Sequence, residues 1–380
     1  MGSPSGMSVS ESREHFIVLD GLRGVASIIV VIFHLFEAHS MGDAFGQTIN
    51  HGYLAVDFFF LLSGFVIAYA YDDRWQRMGV GEFFKRRLIR LQPMVVVGGV
   101  IGALMWYAQD YSLFPKVASA SVWQVIGAML LACFMIPLPT SLEIRGWTEM
   151  YPLNGPAWSL FYEYVANILY ALFMRKLSNA VLGIFVFLAA AGLVALLVLG
   201  ERGSVIGGWA LDGPEALIGV TRLMFPFFAG VLLMRLGKRI PVQGAFLVSS
   251  LLLVAVLSVP RIGGKDTVWM NGLYEAFCVI VVFPVIVAIG AHDKGAGPVA
   301  RRIAAFFGAL SFPLYITHYP LMYIYTGWVI DEKVSAMQGV VAGTAVLVVS
   351  VLIAWMALKY IDEPVRRWLS ARYLTRSRAR

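Results

Sequence analysis

The sequence predicts an all-α polytopic membrane protein with about ten transmembrane helices. Hydrophobic residues make up 59% of its 380 residues and charged residues only 14%, whereas soluble domains average roughly 25% charged residues. Apolar segments long enough to cross a bilayer recur along the whole chain, which leaves little room for a separate soluble domain.

Eleven apolar segments are visible, and most approach the length of about 20 residues that a spanning helix needs. They are 16–38, 52–71, 88–108, 121–136, 157–174, 180–199, 216–235, 244–259, 272–291, 303–327 and 338–361. Segment 121–136 is among the shortest, and Pro137 and Pro139 follow it. It is therefore the weakest candidate for a span.

The charges of the loops support that choice, because basic loops of membrane proteins stay in the cytoplasm. The basic connections are 74–90, 175–176, 235–239, 294–302 and the residues after 366. If segment 121–136 spanned, every basic connection from 175 onward would lie outside. We therefore predict that 121–136 is re-entrant or lies against the bundle, that both termini are cytoplasmic, and that loop 137–156 lies on the opposite side.

The predicted domains are a cytoplasmic N-terminal segment over 1–15, a membrane domain over 16–367 and a basic cytoplasmic tail over 368–380. No cleavable signal peptide is expected, because the first apolar run contains Asp20 and Arg23. Cys133 and Cys278 both lie in apolar segments, which argues against a disulfide framework or a metal cluster. The net charge of +7 indicates membrane orientation and contact with lipid, not binding of nucleic acid.

The first apolar segment carries two ionisable residues, Arg23 and His34. Eleven residues are about three helical turns, so both side chains share one face, about 16 Å apart along the axis. Arg23 then lies at the cytoplasmic edge and His34 well inside the membrane, where ionisable groups indicate function. A neutral imidazole can take a proton from a hydroxyl and return it. The alternative is a histidine that hydrogen-bonds a neighbouring helix.

Basic residues gather at the predicted cytoplasmic end. Arg87 and Arg90 are three residues apart and share a helical face. With Arg23 they could bind phosphate groups, because guanidinium forks bind phosphate oxygens in pairs. Lys85 and Arg86 are read as orientation charges beside anionic lipid head groups.

Two carboxylates lie inside apolar segments. We expect Glu163, in segment 157–174, to orient the imidazole of His34, which it matches in predicted depth. The alternative is a structural hydrogen bond between helices. Asp57 is a candidate for substrate binding, and a pairing role is equally plausible.

Polar groups near the outer boundary are candidates for acceptor binding. Trp158 and Ser159 open segment 157–174, beside loop 137–156. In segment 303–327, Pro313 and Pro320 are expected to break or bend the helix around a cavity. His318 lies between these prolines and either binds substrate or packs at the bend.

Together these motifs resemble the acyltransferase-3 family of integral membrane acyltransferases. Each motif alone is weak, but their order and spacing over 16–367 are specific. The matching pieces are residues 19–22 with Arg23 and His34, residues 57–65 with Asp57, Arg87 with Arg90, residues 156–160 with Glu163, residues 311–315 with His318 and Pro320, and Glu363 with Pro364.

The resemblance implies ten helices in a bacterial cytoplasmic (inner) membrane and transfer of an acyl group, usually acetyl, from acyl-CoA. The acceptor would be a hydroxyl of a carbohydrate or glycosylated product, such as lipopolysaccharide O-antigen, peptidoglycan, exopolysaccharide, Nod factors or macrolide sugars. The chain resembles the stand-alone members, because few residues follow the last span. Arg23, Arg87 and Arg90 would bind acetyl-CoA, and His34 would act as general base or carry the acyl group transiently. No metal is implied.

Two other classes of function remain open. A proton-coupled secondary transporter would also carry buried ionisable residues and broken helices, although no inverted repeat is convincing. The third class is a scaffold or lipid-binding subunit. It does not explain why charged residues lie both at the cytoplasmic edge and inside the membrane, so it is the weakest alternative.

Overall fold

The structure is a computed structural model that describes residues 16–292 and 297–374. It is an all-α polytopic membrane protein, as predicted. Its described α-helices are α1 (Ile17–Ser40), α2 (Ala55–Tyr71), α3 (Val80–Leu104), α4 (Val122–Cys133), α5 (Ala157–Leu172), α6 (Asn179–Val194), α7 (Gly213–Leu236), α8 (Ala245–Ser258), α9 (Trp269–Phe277), α10 (Phe283–Gly290), α11 (Pro298–Thr317), α12 (Tyr319–Asp331), α13 (Ala336–Ala357) and α14 (Glu363–Tyr373). Single π-helical turns continue α6 and join α9 to α10 and α13 to α14.

Eight helical stretches of the described residues are long and apolar enough to cross a membrane. They are Ile17–Ser40, His51–Arg74, Val80–Leu104, Asn179–Leu199, Gly213–Leu236, Trp269–Gly290, Pro298–Thr317 and Ala336–Tyr373. The predicted spans 157–174 and 244–259 form the shorter helices α5 and α8, of 16 and 14 residues. Segment 121–136 forms α4, whose 12 residues are too few to span alone.

Two boundaries differ from the prediction. Helix α3 begins at Val80, eight residues before 88, and an ion pair between Glu82 and Arg86 stabilises its first turns. The predicted tail 368–380 begins inside α14. Its residues 375–380 lie outside the described residues. So do the predicted segment 1–15 and Lys294 of the basic connection 294–302.

Two pairs of helices pack closely through glycines: α1 with α11 and α2 with α7. A Cβ on Gly24 would lie 2.3 Å from the carbonyl oxygen of Phe307, and one on Gly64 would lie 1.8 Å from that of Phe227. Gly230 of α7 approaches the backbone of α2 in the same way, with Leu61 O at 2.1 Å. Small residues allow such close contact between membrane helices. Here they set the positions of α1 relative to α11 and of α2 relative to α7.

The predicted break in segment 303–327 lies at His318, between α11 and α12. Pro320 has no N–H, so it cannot bond the carbonyl of Ile316 four residues earlier. The side-chain amide of Asn154 donates to that carbonyl instead, at 2.7 Å. Loop 137–156 therefore enters the bundle at the break and fixes the start of α5.

Candidate active site

A first cavity, which we call the arginine cavity, has a volume of about 330 Å³ and lies at the N-terminal end of α1. Its walls come from α1, α2, α3, α5 and α11. The polar side chains that line it are Asp20, Arg23, Ser63, Tyr69, Tyr71, Arg87, Arg90, Ser159, Glu163, Ser311 and Tyr315. All three arginines predicted to bind phosphate therefore share one cavity.

Arg87 and Glu163 form the central ion pair of this cavity, with Arg87 Nη2 2.6 Å from Glu163 Oε1. Ser63 also donates to Glu163 Oε1, at 2.8 Å. The expected pair of Glu163 with His34 is therefore wrong. Loop 137–156 enters the bundle before α5 begins, so Glu163 lies on the arginine side and faces Arg87 on α3.

Arg90 differs from its neighbours because it makes no hydrogen bond or ion pair to any residue that the structure describes. Arg23 is 3.3 Å from Asp20 Oδ1, and Arg87 is paired with Glu163. The guanidinium of Arg90 lies instead within electrostatic range of three other arginines, Arg23, Arg87 and Arg366, and of one carboxylate, that of Asp20. Such a cluster favours an anionic ligand.

A second cavity, the histidine cavity, has a volume of about 590 Å³ and lies at the C-terminal end of α1. Residues 146–149 and 155–156 form one wall, as expected for loop 137–156. The ionisable side chains that line it include His34, Glu37, Glu149 and Arg222. Trp158, which is expected to lie near the acceptor's approach, lines this cavity too.

His34 is held by a carboxylate of its own helix. Its Nδ1 lies 2.7 Å from Glu37 Oε2, one turn further along α1. A carboxylate accepts hydrogen bonds, so Nδ1–H is the donor of this bond, and in the neutral imidazole Nε2 is then the nitrogen that can accept a proton. Glu37 thus takes the orienting position expected for Glu163.

One layer of side chains separates the two cavities, because Val56 and Tyr315 line both. The hydroxyl of Tyr315 lies 2.8 Å from Ser159 Oγ and 3.3 Å from the carbonyl oxygen of Pro156. Ser159 lines the arginine cavity, while Trp158 before it lines the histidine cavity. The start of α5 and the end of α11 therefore form the partition.

Two predicted substrate contacts lie behind the cavities. Asp57 is fully buried and pairs with Arg222, with Nη2 2.7 Å from Oδ2, so its oxygens are occupied. His318 is also fully buried, with its Nδ1 2.9 Å from the carbonyl oxygen of Tyr315 and its ring stacked on His34 at 5.8 Å. Neither residue lines either cavity, which favours the alternatives given for them, pairing for Asp57 and packing at the bend for His318, and their contact with substrate stays a prediction.

Several residues that line the histidine cavity, or pair with its lining, were absent from the prediction. Glu37 lies three positions after His34, on the same helical face, so helical spacing could have identified it. Arg222 is a charged residue inside apolar segment 216–235, which is itself a signal. Glu149 lines the histidine cavity and Arg145 pairs with it from outside the lining. Both lie in a loop, where the sequence carries no periodicity that would predict their positions.

Curated relatives match the chain over different lengths. "Protein 2 in picA locus" of Rhizobium radiobacter is 34% identical over 193 residues, which are 49% of this chain and 94% of that protein. "O-acetyltransferase OatA" of Staphylococcus aureus is 23% identical over 362 residues, 92% of this chain and 57% of the relative. "Acyltransferase MdmB" of Streptomyces mycarofaciens is 30% identical over 163 residues, 41% of this chain and 38% of that protein. The chain thus spans just over half of OatA.

No solved structure matches the chain. The family comparison, in contrast, covers nearly all of it: an acyltransferase domain, that of acyltransferase-3, matches residues 16–359. That range includes both cavities and the partition between them. The protein is therefore a membrane acyltransferase that belongs to the acyltransferase-3 family.

Proposed function

We propose that this protein transfers an acyl group, most often acetyl, from acyl-CoA to a hydroxyl of a carbohydrate or glycosylated acceptor. One observation carries the proposal: a cationic cavity and a histidine cavity lie at opposite ends of α1 and meet at Tyr315 and Val56. Donor and acceptor could then approach from opposite sides. We place the protein in a bacterial inner membrane with both termini in the cytoplasm, where acyl-CoA is found.

The arginine cavity suits the donor. Arg90 has no partner among the described residues, and Arg23 and Arg87 flank it. These guanidinium groups would bind the phosphates of coenzyme A. The thin pantetheine arm would then extend along α2 and α5 towards Tyr315 and bring the thioester to the partition.

The histidine cavity suits the acceptor. His34 Nε2 would take the proton of the acceptor hydroxyl while Glu37 holds Nδ1–H. The hydroxyl oxygen forms a bond to the thioester carbonyl carbon, the carbon–sulfur bond breaks, and the thiolate leaves and takes up a proton as free coenzyme A. Glu163 would act on the donor side by holding Arg87.

The test is turnover of acetyl-CoA by purified protein in nanodiscs, followed as release of free thiol. His34→Gln should abolish acceptor-dependent release while acetyl-CoA still binds. His39→Gln is the matched control, because His39 lies on the same helix, bonds Tyr325 at 2.8 Å and lines neither cavity.

Two outcomes would contradict the proposal. His34→Gln with full transfer would remove the general base. A wild-type protein that releases no coenzyme A, but moves a solute with protons, would be a transporter.

A further inference from the structure

The histidine cavity contains a carboxylate that the chemistry above does not use. Glu149 lies between α4 and α5, lines the cavity, and is only 5% exposed. Its Oε2 accepts a hydrogen bond from the hydroxyl of Tyr323 at 2.7 Å. Its Oε1 accepts none from any described residue. Oε1 is not fully enclosed by the protein and lies beside Gly155, another residue that lines the cavity, so it is free to accept a hydrogen bond from a ligand there.

Arg145 fixes the position of this carboxylate. Its Nε lies 3.4 Å from Glu149 Oε2, and its guanidinium stacks 3.4 Å from the centre of the Tyr323 ring. Arg145 is itself fully buried, bonds Pro152 and Gln109, and does not line the cavity. Arg145 thus holds the carboxylate of Glu149 from the side away from the cavity, and Oε1 stays available to a ligand.

The surrounding walls are aromatic. Trp147, Trp158, Trp209, Tyr319 and Tyr323 line the cavity. Aromatic rings pack well against flat apolar surfaces, and a few polar groups then fix orientation. The C–H faces of a sugar ring offer such a surface, and its hydroxyls offer donors for Glu149.

The charges of the cavity disfavour an anionic ligand. Its cation, Arg222, is already paired with Asp57. The carboxylates are partnered as well, Glu149 by Arg145 and Glu37 by His34. The described lining therefore leaves no cation free to pair with a ligand carboxylate, which would lose its hydration without gaining an ion pair. A neutral ligand carries no such cost.

We propose that Glu149 is the acceptor-recognition residue, that it accepts a hydrogen bond from a sugar hydroxyl other than the reacting one, and that the acceptor is a neutral sugar. This inference rests on the proposed function, because it assigns the acceptor to the histidine cavity.

The first test uses wild-type protein in nanodiscs and three probes: methyl glucoside, methyl glucuronide and methyl glucuronamide. Binding is read from intrinsic fluorescence, since three tryptophans line the cavity. The glucoside and the neutral amide should bind with similar affinity, and the glucuronide at least tenfold more weakly. Equal binding of all three, tighter binding of the glucuronide, or no saturable binding of any would overturn the inference.

The second test compares Glu149→Gln with Glu332→Gln, whose carboxylate is exposed and lines neither cavity. Glu149→Gln should reduce the tenfold preference to less than threefold, and Glu332→Gln should leave it unchanged. An unchanged preference in Glu149→Gln would contradict the role of Glu149. Thiol release from acetyl-CoA is measured on the same samples: if it persists and depends on His34 while the preference is absent, the proposed function stands and this inference fails.

Discussion

Glu37→Gln tests the orientation of His34 without changing the shape of the site. The bond from Nδ1–H to the carboxylate, at 2.7 Å, becomes a bond to a neutral amide. A hydrogen bond to a charged group contributes about 1.5–3 kcal/mol, against about 1 kcal/mol for a neutral one. The difference is about 0.5–2 kcal/mol. Because Glu37 is 32% exposed, we take the middle of this range and not its upper end, about 1.2 kcal/mol, which corresponds to about an eightfold fall in kcat.

The assay is thiol release from acetyl-CoA, with kcat and KM for the donor measured separately. Because Glu37 lines the histidine cavity, the KM for acetyl-CoA should stay within twofold of wild type. Glu82→Gln is the control: Glu82 also pairs with a basic residue of its own helix, is 27% exposed, and lines neither cavity. A Glu37→Gln enzyme whose kcat stays within threefold of wild type, or whose donor KM changes instead, would refute the reasoning.

Three further predictions concern the donor site, the loop carboxylate and the helix packing. Arg90→Ala should raise the KM for acetyl-CoA about tenfold, because a charge-assisted contact worth about 1.5 kcal/mol is lost. Arg86 lies outside both cavities, so Arg86→Ala should leave this KM unchanged. An equal rise of KM in both variants would contradict the donor site. Burial raises the pKa of Glu149 to about 7, against the opposing ion pair with Arg145 and the hydrogen bond from Tyr323, while Glu143 raises it further. The folded protein therefore binds this proton more tightly than the unfolded chain, so the associated stability is present below about pH 4.5 and is lost as pH rises through about 7; Glu149→Gln should flatten the fall of Tm between pH 5 and 8, and an unchanged slope would refute this. Gly64→Ala forces a Cβ against the backbone of α7 and should destabilise the fold by about 1–3 kcal/mol, seen as a lower Tm in detergent, whereas Gly183→Ala, with no neighbouring atom within 4 Å, should not.

Much of the fold followed from the sequence because the bilayer imposes a simple rule. A spanning helix must form all its backbone hydrogen bonds internally and must be apolar for about 20 residues. This rule identified the apolar segments that form the helices, and proline chemistry identified the break at His318. It could not give the lengths of α5 and α8, which depend on how loops enter the bundle.

Part of the site also followed from the sequence. Arg87 and Arg90 line one cavity, as their helical spacing indicates. Arg23 and His34 line cavities at opposite ends of α1, as their separation along the helix indicates. Pairing between helices did not follow. Glu163 was matched to His34 by predicted depth in the membrane alone. Depth cannot distinguish two cavities that are separated only by the side-chain layer of Val56 and Tyr315.

Buried partners decide between alternatives that the sequence left open. Asp57 was expected either to bind substrate or to pair, and Arg222 on α7 occupies its oxygens. Asp57 and Arg222 are far apart in sequence. They meet because α2 and α7 pack closely through Gly64 and Gly230. That packing is a property of the assembled bundle and not of any one segment.

The most direct measurement of the central claim is transfer of label across the bilayer. Sealed proteoliposomes enclose methyl glucoside, and [14C]acetyl-CoA is added outside. The account predicts labelled glucoside inside the vesicles with wild-type protein and none with His34→Gln. Label that appears only on glucoside supplied on the same side as acetyl-CoA, or that reaches the lumen equally well with His34→Gln, would contradict transfer between the two cavities.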